Sequence, residues 1–425
     1  MNRVQYTIHD AMRNVVVLLS FGLLGFGLTS TATAQSYTSV WTGAENDQWF
    51  EDGNWTAGVP GVETQAVFTA STAEEFTIRE SSANIQFDSL FFSADTPAAS
   101  VMIEHGGAAL AGRNFDLRNS DTVIEVEAGG PAVTVNVGGG RFVLSSTAAR
   151  IVNNSDNMLT LTGTGGLFNR GSTTSGIRID GSGDITMNGT SLQRSGGHLR
   201  ELTLLETFSG TLHLNANYNM TQGGAAPNPL TVDGGTLVMN STMTHGVLVV
   251  NDGGTFSGAG ESRRQATFNS GAVVNPGTVG GTGAFTFSGD NTVTFETGSL
   301  LRLDLLDKDT HDRLLFDELT EGEGDIPTLS LSTAGDGVIL DLNLLPGFAA
   351  AINDQFEILS GYQALNGYFK LADGTSLTDG AEFEVDGTLF RINYGSTTLT
   401  VIPEPGAGGL LLLGLAGVLC WRRRR

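Results

Sequence analysis

Cysteine occurs once in 425 residues, at Cys420, inside the terminal apolar run beside Trp421. No disulfide can form in the rest of the chain, so stability there must come from packing and backbone pairing, and metal sites built on thiolates are excluded. Lysine occurs only at Lys308 and Lys370. The formal net charge is −23. Six of the arginines (Arg3, Arg13 and Arg422 to Arg425) lie at the two ends, so the body between them is more acidic still. Such a polyanion repels nucleic acid and anionic lipid and gains solubility from its charge. Proline is scarce, at 10 copies, and no segment between Gln35 and Ile402 repeats its apolar residues with a helical period. Chemistry-bearing patterns are also missing: there is no G-x-S-x-G elbow, no phosphate loop followed by Lys-Ser/Thr, and no H-E-x-x-H pair. His9, His105, His198, His213, His245 and His311 are scattered without metal-ligand spacing. No enzymatic activity and no resident cofactor are expected.

What is abundant is glycine, with 58 copies, set among 40% apolar residues. No three-residue period supports collagen. Instead, Val, Leu, Ile and Phe alternate with Thr and Asn over short runs, the pattern of half-buried strands. One phrase recurs, in which an apolar-x-apolar strand leads through a glycine turn to another apolar residue. Leu230–Val232 leads through Gly234-Gly235 to Leu237, and Val249-Val250 leads through Gly253-Gly254 to Phe256. Phe268 leads through Gly271 to Val273, and Val293–Phe295 through Gly298 to Leu300. Weaker copies land on Phe142, Leu167 and Ile185. Landing positions about 17–27 residues apart suit one coil of a solenoid, whose inward residues are buried only when coils stack. The expected fold is all-β: a right-handed parallel β-helix with N- and C-terminal β caps. At ~4.8 Å per coil, roughly ten coils between Ser100 and Leu305 make a rod on the order of 50 Å long. A β-sandwich or jelly roll is the competing architecture.

Two regions break the repeat, which spans 98–306. Residues 35–97 hold Trp41, Trp49 and Trp55, and residues 307–401 are richer in aromatic and acidic side chains. Both read as caps over strand edges that a solenoid leaves open. In the second, Glu382–Val385, Asp386-Gly387 and Thr388–Tyr394 read as a hairpin, because Asp-Gly suits a two-residue turn with positive φ at both positions.

The ends read as transport signals. Residues 1–34 form a signal peptide: Arg3 and Arg13, an apolar core from Val15 to Leu28, then Ala32-Thr33-Ala34 as the small-residue cleavage pattern. At 402–425, Pro403-Glu404-Pro405 precedes the uncharged run Gly406 to Trp421 and the block Arg422-Arg423-Arg424-Arg425. As a helix that run spans ~24 Å against a ~30 Å hydrocarbon core, and four arginines strongly prefer the cytoplasmic side. This arrangement resembles the PEP-CTERM sorting signal of Gram-negative bacteria. The resemblance implies recognition by an exosortase after entry through the general secretion machinery. It also implies a passing stay as an inner-membrane-anchored intermediate, then delivery to the cell surface or extracellular matrix.

A second resemblance rests on the W-x-G opening at Trp41, Trp49, Asn54-Trp55, Gly58-x-Pro60 and Ala66-Val67-Phe68. With it go the Asp-Gly-Gly-Thr repeats and the ending Asp354–Leu359, Asn366-Gly367, Phe369 and Phe390–Tyr394. Together these patches are similar to exported proteins bearing autotransporter-associated β-strand repeats, common among Planctomycetes and Verrucomicrobia. That likeness implies a passenger-like surface or matrix component without catalysis.

Because parallel β-helices also host polysaccharide lyases and hydrolases, acidic clusters were weighed for paired-carboxylate or Ca²⁺ chemistry. Asp307, Asp309, Asp312 and Glu318 mimic an EF-hand loop, but Asp312 stands where that loop needs glycine. Loosely bound Ca²⁺ is the only metal chemistry this loop offers. Trp41, Trp49 and Trp55 offer flat rings for stacking on sugars, though they also suit an apolar plug. The sequence thus points to a structural or adhesive element with extracellular polysaccharide as a candidate partner. A carbohydrate-binding module is the alternative, and a β-helical lyase or hydrolase a more distant one.

Overall fold

In the computed structural model the described residues are 37–403, apart from 70–74, 81–83, 96–98, 106–113, 119–120, 145–147, 165, 171–174, 194–198, 220–228, 279, 320–325 and 333–336. β-Branched and aromatic residues at alternate positions dictate strands. Apart from a single 3-10 turn at Asp52–Asn54, every regular element among the described residues is a strand.

Most strands belong to long parallel sheets visited in rotation. Leu90–Phe92 lies in a first sheet, Ser100–His105 in a second and Asn114–Leu117 in a third, and Thr122–Val126 then returns to the first beside Leu90–Phe92. The first sheet has 13 strands, from Tyr37–Val40 to Leu365–Gly367, and the second has 14. The third face is built from two five-stranded sheets, one ending at Ser191–Gln193 and the other starting at Thr242–Met243. Single bridges, Ser191↔Asn217 and Tyr218↔Met243, carry parallel pairing across the interval between them. These long parallel sheets are consistent with a β-helix.

The parallel stack overruns the expected 98–306 at both ends, since Thr64–Phe68 and Thr328–Leu331 are also strands of the first sheet. Over the expected interval, from Ser100–His105 to Leu300–Asp307, the second sheet has nine strands, against roughly ten expected. Several turns are longer than the glycine-cornered phrase suggested. A four-stranded antiparallel sheet, Gln355–Glu357, Thr398–Val401, Thr388–Asn393 and Glu382–Val385, lies at the C-terminal end of the described chain. Its hairpin forms as read: Val385 pairs with Thr388 across Asp386 (φ 47) and Gly387 (φ 80).

The core is a set of columns. In the first sheet Leu90, Ile124, Ile151, Ile179, Leu204, Val232, Val250, Phe268, Phe295 and Leu331 stand in register, each fully buried. In the second sheet Leu159, Ile185, Leu212, Leu237, Phe256, Val274 and Leu301 do the same. On the third face Phe115, Phe142 and Phe168 stack with ring centroids 5.9 and 5.5 Å apart. Outward positions form rows of hydroxyl groups, of which Thr203, Thr231, Thr267 and Thr294 are half-buried examples.

The alignment of landing positions needs correction. Phe256 pairs with Val274, not Val273, and Val274 pairs with Leu301, not Leu300. Val273 and Leu300 are half-buried on the outer side. A one-residue shift exchanges the faces of a strand, and adjacent apolar residues left the inward one ambiguous. Phe142 and Leu167 belong to the third face, whereas Ile185 lies in the second sheet as expected.

Corners need glycine where successive turns of chain touch. Gly258 has φ +125, and a Cβ there would lie 2.1 Å from the Met239 carbonyl oxygen. No helix among the described residues is long and apolar enough to cross a membrane, and the expected terminal span, 406–421, lies outside those residues.

Inward and outward positions should differ sharply when truncated. Phe256→Ala is expected to cost about 3–5 kcal/mol, and outward Thr267→Ala less than about 1 kcal/mol. Chemical denaturation of the full-length variants measures both, and equal losses would contradict the assigned register.

Candidate functional site

The sorting segment emerges from the antiparallel sheet. Thr398–Val401 is flanked there by Gln355–Glu357 and Thr388–Asn393, both antiparallel. The Val401 N–H donates to the Asp354 carbonyl at 3.0 Å, and the Ile402 N–H to Leu389 at 2.9 Å. Val401 and Ile402 are buried, and the next residue, Pro403, is exposed. Proline cannot donate to a ladder, so backbone pairing stops where Pro403-Glu404-Pro405 starts. Glu404, Pro405 and Arg422, Arg423, Arg424 and Arg425 lie outside the described residues, as do Ala32 and Ala34 at the leader's cleavage pattern.

At the opposite end the three tryptophans pack on one another. Trp41 and Trp49 meet Trp55 edge-on at 5.0 and 4.9 Å between centroids, and Trp49 continues into Phe68 and Phe87. The Trp55 Nε1–H donates to the Trp49 carbonyl at 2.8 Å. Thr56 N–H donates to Val40 and Thr42 N–H to Asn54, so residues 54–56 run along the free edge of Tyr37–Val40. Buried Asn54 holds the intervening loop by accepting from the Glu45 and Asn46 N–H groups. Trp41, Trp49 and Trp55 are 4%, 0% and 4% exposed. As glycan contacts they are therefore corrected: no ring presents a face on which a sugar could stack. Alternation around W-x-G exposes one face in sequence only; burial comes from Phe68 and Phe87, which reach the indoles from later turns.

The acidic loop does not assemble as a cation site. Asp307 Oδ1 accepts the Asp309 and Thr310 N–H groups at 2.9 and 2.7 Å, closing a turn in which Asp309 pairs with Lys308. These hydrogen bonds, the Asp309 N–H first, hold Asp307 below its ordinary value. Asp312 points inward and is fully buried, its two carboxyl oxygens accepting from Gly283 N–H at 2.8 Å and Asp304 N–H at 2.9 Å. Glu318 lies beyond the following strand, Arg313–Asp317. Among the described residues no group of three or more His, Cys, Asp or Glu side chains could hold a metal ion. The set Asp307, Asp309, Asp312 and Glu318 is corrected accordingly, because the Asp312 carboxylate is buried against the Gly283 and Asp304 N–H groups while Asp309 is exposed beside Lys308. His213 stands half-buried between Thr186 and Val238 on the second sheet.

With this geometry in place, comparison with protein families finds the PEP-CTERM protein-sorting motif at residues 401–425. It covers Pro403-Glu404-Pro405, the apolar run and the arginine block, and begins on the last residue of the last strand. The motif indicates an exported protein sorted to the cell surface by an exosortase. No curated protein matches the chain.

Burial is the main reason that Asp312 is raised to about 7, with the neighbouring Asp304 carboxylate adding and the two N–H donors opposing. An unfolded aspartate releases its proton near ~3.9. Between that value and about 7 the folded chain retains a proton that the unfolded chain has lost. This group's contribution is thus complete below ~3.9 and declines as pH rises through the window, by up to ~1.4 kcal/mol per unit. Asp312→Asn is expected to flatten the pH dependence of unfolding there. An unaltered slope would show that Asp312 does not titrate in that range.

Proposed function

We propose that the protein is a structural or adhesive element of the cell surface or extracellular polysaccharide matrix, a right-handed parallel β-helix released from the membrane by exosortase cleavage near Pro403-Glu404-Pro405. The observation that carries this reading is the position of the sorting motif. It starts at Val401, where an end sheet of a long parallel stack finishes, so cleavage beyond Ile402 would leave the pairing of Thr398–Val401 intact. Right-handedness follows from the strong preference of strand–crossover–parallel-strand connections for that hand. Stacked coils give an extended, rigid surface of repeated Thr and Asn side chains, the kind of scaffold used for lateral contacts with polymers.

In this reading 1–34 directs export and is removed after Ala34. Gly406–Trp421 serves as a temporary inner-membrane helix, and Arg422 to Arg425 stop transfer. The similarity to autotransporter-associated β-strand proteins supports a passenger-like role without catalysis. No cofactor is proposed, and Asp307, Asp309, Asp312 and Glu318 give no support to Ca²⁺.

Replacing Pro403-Glu404-Pro405 with three alanines is expected to leave the full-length chain in the inner membrane. Fractionation of cells, with mass spectrometry of the wild-type C-terminus, tests this. Wild-type surface material should lack Arg422 to Arg425. Normal surface delivery of the alanine variant, or mature protein still ending in arginine, would overturn the sorting mechanism.

A further inference from the structure

One part of the lateral surface departs from the ladder chemistry around it. In the later part of the first sheet, outward positions stack Thr on Thr (Thr203 on Thr231, Thr267 on Thr294, with Val249 between the two pairs), and Asn251 and Asn269 bond to each other just beyond their strands with Asp233 beside them. Between Thr122 and Ser209 these rows instead carry Glu125, Arg150 and Asp180. They border a recess of about 390 Å³ whose other walls include Val152, Asn154 and Thr207.

Two irregularities aim these side chains. Pairing of Ala148–Asn153 with Thr122–Val126 shifts register between Arg150 and Ile151, so Val123 has no partner and turns into the core. A second shift, between Ser175 and Gly176, lies on the other side of the same strands. Bulges bend a strand and re-aim its side chains, and they concentrate beside functional sites. The floor is open because the corner below it has little side chain. Gly181 has φ +102, and a Cβ there would lie 2.1 Å from the Asn153 carbonyl oxygen.

The polar groups are held in place and differ in state. Arg150 Nη2 pairs with Asp180 Oδ2, while Asp180 Oδ1 accepts from Thr207 Oγ1 and the Gly181 N–H, each at 2.7 Å. Burial works to raise Asp180, but these hydrogen bonds, Arg150 first, hold it below its ordinary value. Burial raises Glu125, against the attraction of Arg150. Arg150 Nε is buried and has no hydrogen-bond partner. A buried donor left unpaired is costly, and an ion pair between a half-buried arginine and a buried aspartate adds little stability to a fold whose ladders manage without one. Departures from local regularity of this kind gather at functional sites.

We propose that this recess binds a neutral sugar unit of an extracellular polysaccharide, with the partly exposed Arg150 guanidinium and Asn154 as hydrogen-bonding groups. The chemistry selects this class. Hydroxyl, amide and charged side chains, among them Thr122, Asn154, Thr207 and Ser209, line the recess and offer both donors and acceptors, as a polyhydroxylated ring requires. One cation faces two acidic side chains in a strongly acidic protein, so uronates and phosphates are disfavoured. This inference rests on the adhesive reading above and specifies where the contact is made.

The test uses the full-length chain in detergent, titrated calorimetrically with neutral gluco-, galacto-, manno- and xylo-oligosaccharides and with oligogalacturonate. At least one neutral oligosaccharide is expected to bind and oligogalacturonate is not. Arg150→Lys retains a cation for Asp180 but removes the planar, multiply donating guanidinium, and Asn154→Ala removes the amide. Each is expected to weaken binding about tenfold or more with the melting temperature unchanged. Absence of neutral-sugar binding, preference for the uronate, or affinity undiminished in both folded variants would overturn the proposal. Retention of wild-type and variant protein on native matrix is measured alongside. Matrix association that persists in the variants refutes the recess alone, whereas loss of any matrix association by wild type refutes the adhesive reading itself.

Discussion

Everything in this molecule depends on parallel backbone pairing between segments one full turn apart, which stacks inward apolar residues into continuous columns. The column from Leu90 through Ile151, Val250 and Phe295 to Leu331 illustrates the constraint. No turn can bury its own inward residues alone, so each completes the core of its neighbours. With no cysteine in the described body to cross-link it, this mutual burial and the ladders hold the chain. The same constraint explains the scarcity of proline, which lacks the N–H that a residue of a central strand donates to its neighbour.

A stack of this kind leaves unpaired edges at its ends, and the two ends meet that problem differently. At the first, residues 54–56 pair along Tyr37–Val40, anchored by interlocking indoles. At the last, the chain turns antiparallel and builds a small sheet around Thr398–Val401. Covered edges suppress end-to-end association of strands. The second arrangement also connects fold to fate, since the sorting motif begins on that closing strand and its first proline is already in solvent.

Regular columns free the outer surface to vary. Where Thr or Asn repeats, the side chains mainly support one another along the stack. Where Glu125, Arg150 and Asp180 replace them, a recess with its own electrostatics appears on an otherwise repetitive face. Rigid strands with variable outward residues are a common way to place recognition chemistry on a scaffold.

The extent of legibility follows from the range of the interactions. Strand chemistry, the Asp386-Gly387 hairpin and the Pro403-Glu404-Pro405 tail were readable because each is written in consecutive residues. The facing of Val273 and Leu300, two landing positions of the repeat, was not legible, since apolar neighbours on both sides of a strand leave its facing to the stack. Asp312 looked like part of a cation loop until Gly283, from the preceding turn, claimed its carboxylate. The recess was invisible because Glu125, Arg150, Asp180 and Thr207 meet only through stacking. By itself, then, the sequence determined the strand-forming character, the acidic balance and the sorting address. Only the tertiary structure decided which residues face inward, which tryptophans are hidden and which charges become neighbours, since those choices are set by the register between turns of chain rather than by any local pattern.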